Sequence, residues 1–142
     1  MKDITFIKAT EGPFNYNRSL DYKSPDFKKD INIGIRTELL CKKNADVVIV
    51  SVFLKYEKTK DLIFSYNVNM FYEVKEWRKL LEEKTPEYIK KMEEVEKLLE
   101  ITIGYVRGSL SVQTKNTPVE NLYLPILPIK DVQNNLVLVI GE

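Results

Sequence analysis

Alternation governs the first half of the chain. DITFIKAT (3–10) alternates enough for a short strand, and EGP, NYN and KSPDF after it are full of turn formers. INIGIRTELLC (31–41) puts Ile31, Ile33, Ile35 and Leu39 on one face, with Asn32, Arg36 and Glu38 on the other. KKNAD (42–46) is a hairpin turn before VVIVSVFLKYE (47–57). There Val48, Val50, Val52, Leu54 and Tyr56 share one face, while Val47, Ile49 and Phe53 share the other. A strand apolar on both faces belongs in the middle of a sheet or is covered twice. After KTKD (58–61), LIFSYNVNMFYEV (62–74) sets Leu62, Phe64, Tyr66, Val68, Met70 and Tyr72 against Ser65, Asn67 and Asn69. Three strands joined by short polar turns predict an antiparallel meander, and the first strand must join the same sheet or extend its edge.

At Lys75 the period changes. KEWRKLLEEK (75–84) predicts a short helix stopped by Thr85-Pro86. Thr85 suits the N-cap of a second helix with Pro86 in its first turn. From there Ile89, Met92, Val95, Leu99, Ile103, Val106 and Leu110 step by three and four, which predicts one long helix over 86–112. Ile101, Tyr105 and Val112 add a second apolar line to its later half, so that half needs cover on more than one side. QTKNTP (113–118) breaks the helix. Then comes LYLPILPI (122–129), in which Pro125 and Pro128 exclude both a helix and an inner strand. This ribbon must lie extended with its apolar side chains seeking cover. NNLVLVIGE (134–142) reads as a last strand or a short apolar tail.

Composition narrows the function. The chain has 142 residues, which suits one domain over 1–142 with one core. Its 22 basic residues are offset by 21 acidic ones, which argues against non-specific nucleic-acid binding. No stretch approaches the roughly 20 apolar residues that span a bilayer, so no membrane insertion is expected, and MKDITFIKAT has no signal-peptide core. A lone cysteine, Cys41, suits a reducing, cytoplasmic setting. Histidine is absent, which removes the commonest general base and metal ligand and leaves Cys41 with no imidazole to activate it. The acids interleave with Lys at helical spacing, as on a solvated helix face. No metal, no cofactor and no catalytic residues are expected, and an enzyme is the least supported class.

The order of parts (strand, loop, three-strand meander, long helix, proline-bearing ribbon) resembles the SecB family of protein-export chaperones. The likeness is strongest over IGYVRGSLSVQTKNTPVENLYLPILPI (103–129), where Tyr105, Arg107, Pro118, Leu122, Leu124 and Pro125 occupy family-like places. ITFIKAT and SPDF are similar to the family's opening strand and loop. The resemblance implies an α+β fold, a four-stranded antiparallel sheet with a long helix packed on one face. It implies a homo-oligomer, a dimer of dimers with the long helix in the interface, and places Ile101, Tyr105 and Val112 there. It implies an ATP-independent holdase that binds unfolded client polypeptides in grooves between sheet and ribbon, for export or for a dedicated client such as an antitoxin. Departures count against docking on the translocase motor: the chain is near neutral, Ser65, Asn67 and Asn69 stand where acids are usual, and ILPIKDV replaces the Asn-Phe-Asp that follows Leu-x-Pro.

A holdase gains free energy from apolar area removed from water, about 25 cal/mol per Å². The candidate peptide-binding residues are Tyr123, Leu124, Ile126, Leu127 and Ile129 on the ribbon, with Phe53, Tyr56, Phe64 and Tyr66 opposite them. An aromatic on an alternating strand is more often core than binding surface. Two other readings stay open: an assembly protein whose ribbon is a permanent oligomer interface, and a small-molecule carrier closed by sheet and helix.

Overall fold

The computed structural model describes residues 3–141; Met1 and Lys2, and Glu142 at the end of the last apolar stretch, lie outside it. The meander forms as the alternation predicts: β3 (Ile31–Lys42), β4 (Val47–Lys58) and β5 (Asp61–Val74) pair antiparallel in sequence order. β1 (Ile4–Glu11) joins the free side of β5, with the two-residue β2 (Asn15–Tyr16) further along the same side. β6 (Val137–Gly141) closes the opposite edge, parallel to β3. The sheet therefore has six strands in place of the four expected. β2 is too short to leave a periodic signal, and β6 is the alternative in which the terminal stretch is a strand.

One face of the sheet carries the core. Val48, Val50, Val52, Leu54 and Tyr56 of β4 and Phe64, Tyr66, Val68, Met70 and Tyr72 of β5 are all buried there. At its turn end the predicted register slips. A bulge between Tyr56 and Glu57 pairs Glu57 with Leu62, so Leu62 turns out to solvent and Ile63 turns in. Cys41 is buried between Val48 of β4 and Ile140 of β6, and burial pushes its thiol up to about 11.

The second layer consists of α1 (Trp77–Glu83), α2 (Pro86–Lys90), α3 (Glu93–Thr114) and α4 (Ile129–Asn134). Thr85 caps α2 as expected, its hydroxyl accepting from Tyr88 N–H at 3.2 Å. The predicted long helix, however, is two helices: Met92 is extended (φ −67°, ψ 149°) and begins α3. The break is held from α4. The buried Gln133 donates its amide to the carbonyls of Lys90 and Met92, at 2.8 and 3.0 Å, tying both sides of the break to α4. α3 then lays Leu98, Leu99, Ile103, Val106 and Leu110 on the sheet. Each such burial contributes about 1.5–3 kcal/mol. Tyr72 and Thr102, joined at 2.8 Å, fix its height over β5.

Candidate functional site

From Thr114 the chain turns back along α3, and residues 122–128 run extended, as two prolines in seven residues require. Arg107 of α3 fastens this ribbon. Its guanidinium donates to the carbonyl of Leu124 and, at 3.2 Å, to that of Pro125. Leu124 enters the core, and Leu127 and Ile129 pack half-buried against its margin. Tyr123 and Ile126 face outward, 73% and 92% exposed. The ribbon thus has an anchored side and a free side.

Beside it lies an unused length of sheet edge. β3 has twelve residues, and β6 pairs with only Glu38–Lys42, so on the side away from β4 no described strand pairs with Ile31–Thr37. Ile35 and Thr37 there, with Leu127 of the ribbon and Asp131, Val132 and Asn135 around α4, line a cleft of about 170 Å³. Lys43 N–H donates to Gly141 C=O at 3.2 Å, so the odd-numbered residues of β3 direct their backbone groups toward this edge. At Ile33 and Ile35, and at the Thr37 N–H, those groups meet no described strand; the Thr37 carbonyl takes the Val137 N–H at the start of β6.

The strand aromatics sit elsewhere. Tyr56 and Phe64 stack with centroids 4.3 Å apart, fully inside, with Phe14 set edge-on to Phe64 at 5.1 Å. They form the floor of the core beneath the helices, not the far wall of a trough, because their face of the sheet is the one the helices cover. The Tyr56 hydroxyl has no hydrogen-bond partner among the described residues, and burial pushes its pKa up to about 12. Tyr66 is buried as well, its hydroxyl 2.6 Å from Ser109 Oγ and donating to Glu11 at 3.1 Å. Phe53 is exposed but on the opposite, helix-free face, with the Arg36 guanidinium 4.9 Å over its ring. A shallow cleft of about 620 Å³ spreads around it, between Gly12-Pro13 and Gly34. Phe53 and the ribbon are therefore not brought together.

Ile101, Tyr105 and Val112 form an exposed stripe on α3, interrupted by Gly104 and Gly108, around which a side chain would meet nothing. Phe6 and Ile7 of β1 are exposed too, and the Phe6 ring lies 6.1 Å from that of Tyr72, next to α3. Tyr105 donates to Glu11, and this bond holds the Glu11 carboxyl below its usual range. Neither the Glu11 cluster nor the open edge of β3 was found from the sequence. The second had a signal, since the last apolar run is too short to flank a twelve-residue strand.

No known family model matches the chain, and no curated protein sequence matches it. Solved structures do. The chain is similar to the Mycobacterium tuberculosis Rv1957 SecB-like chaperone, solved in complex with a ChAD peptide from the Rv1956 HigA1 antitoxin, with a TM-score of 0.51 over 88% of each chain at 12% identity. The fold is SecB-like. A protein of unknown function from Streptococcus agalactiae aligns with a TM-score of 0.45 and 12% identity, over 89% of this chain and 99% of its own. Among the described residues, no helix of this SecB-like fold is long and apolar enough to cross a membrane.

Proposed function

We propose that this protein is a nucleotide-independent holdase that takes extended apolar segments of unfolded or partly folded polypeptides along its ribbon. The observation that carries the reading is the free side of the ribbon, Tyr123 and Ile126, beside an apolar cleft and the length of the outer β3 edge that β6 leaves uncovered. Side chains of an extended segment find apolar contact there, and its backbone finds donors and acceptors that no described strand uses. The SecB-like neighbour solved with an antitoxin peptide supports the same class of ligand, and an antitoxin is the first client to try. The exposed stripe of Ile101, Tyr105 and Val112 supports self-association through α3. The lone thiol and the missing imidazole support a cytoplasmic, non-enzymatic role. Light scattering of a denatured protein diluted into buffer tests the reading. Suppression without nucleotide, weakened by Ile126→Asp, is expected; no suppression by the folded wild type would sink it.

A further inference from the structure

The two ends of the sheet are finished differently. β1 is guarded as edge strands commonly are: a bulge between Phe6 and Lys8 breaks its register, and Lys8 and Glu11 put charge along it. β6 has no such guard. Its residues, VLVIG, include no charge, no proline and no bulge, and no described strand lies beyond it.

The hydrogen bond from Lys43 N–H to Gly141 C=O fixes which backbone groups point where. Gly141 bonds into β3, and by the alternation of a parallel ladder so do Val139 and Val137. The N–H and C=O of Leu138 and Ile140 therefore aim away from β3, and no described residue hydrogen-bonds to them. Beside them, on the helix-free face, Val137 and Val139 are 45% and 42% exposed. Val139 ends a row of cross-strand neighbours, Val139–Leu40–Ile49–Phe71, that runs over the sheet to Lys8.

We infer that the outer edge of β6 is a second docking lane, which accepts an extended, apolar client segment as an added strand. The inference rests on the holdase reading and names a place and a bonding mode for its client. A second copy of this chain is the weaker occupant. Five residues paired edge to edge span about 17 Å, a strip one strand deep, far short of the roughly 1,000 Å² that a stable interface buries. An extended client segment needs no such area. Backbone bonds to Leu138 and Ile140 fix its path for any sequence, and every second side chain joins the apolar row beside Val139.

Leu138→Pro tests this directly. Proline at 138 removes a donor that the fold does not use and sets its ring in the path of an added strand, while the β3 ladder keeps its bonds. Leu138→Ala removes the same packing and keeps the donor. Binding of a fluorescein-labelled alternating Val-Thr peptide is expected to weaken roughly tenfold in Leu138→Pro, about one hydrogen bond's worth. In Leu138→Ala it should stay close to wild type. Amide exchange at Leu138 and Ile140 should slow when the peptide is added to the wild type. Equal affinity for the two variants, with Ile126→Asp still weakened, overturns the β6 lane and leaves the holdase reading standing. A lower solution mass for Leu138→Pro alone assigns the edge to a second copy and overturns it as well. If the wild type neither binds the peptide nor suppresses aggregation, both readings fall.

Discussion

Tyr56, Phe64 and Tyr66 and the proline ribbon have similar chemistry and lie on the same, helix-covered side of the sheet, yet they have opposite fates. Tyr56, Phe64 and Tyr66 are sealed by α3 and Phe14, whereas Tyr123 and Ile126 stand in solvent within a residue or two of the buried Leu124. The difference lies in what each backbone can do. A strand inside a sheet commits all its alternate residues to one layer, and one long helix covers them together. A ribbon without ladder bonds is tied at points, here by Arg107 and Leu124, and between those points its side chains are free to turn outward. The ribbon is where apolar surface can be offered without opening the core.

That contrast can be broken or sharpened by substitution. Phe64→Ala should cost about 3–5 kcal/mol, the range for a large core ring, read as a lower urea midpoint. If it costs less than about 1 kcal/mol, the rings are not core and the contrast fails. Arg107→Ala should cost about 1.5–3 kcal/mol, the scale of a hydrogen bond from a charged group. Its signature is faster amide exchange and proteolysis confined to residues 122–128, with the sheet unaffected. Tyr56→Phe removes a buried hydroxyl that has no described partner, so stability should hold or rise by up to about 1 kcal/mol. Ile126→Asp should move stability by no more than about 0.5 kcal/mol, the ordinary surface effect, while reducing capture of unfolded protein.

A pH measurement separates Tyr66 from the other two rings. Tyr66 donates to Glu11, whose folded pKa is lowered chiefly by the bond from Tyr105. A lowered folded pKa means a contribution fully present above the ordinary carboxyl value of about 4.3, lost as pH falls through the folded value. Glu11→Gln should therefore flatten the acid limb of the stability curve by lowering stability at neutral pH, with little change well below the folded carboxyl value.

Much of this was legible in the residues. The faces of β4, the meander order and the Thr85 cap follow from period and capping chemistry alone, and the tethering of Leu124 and Pro125 uses Arg107, one of the family-like positions in 103–129. The rest escaped for physical reasons. Alternation tells which residues share a face but not which face will be covered, so Phe53 and Tyr56 looked alike. A single bulge at Tyr56–Glu57 exchanges Leu62 for Ile63 without any mark in composition. The stop between α2 and α3 depends on Gln133, over forty residues away, and no local pattern carries that information.

Cys41 offers a use beyond packing. It is the chain's only sulfhydryl, it has a folded pKa of about 11, and it lies beside Ile140. An alkylating dye at neutral pH would reach it only in molecules whose final strand has momentarily peeled off. Labelling speed thus becomes a clock for the fraying of that margin, readable on unmodified protein, and a bound polypeptide strapped across it should slow the ticking.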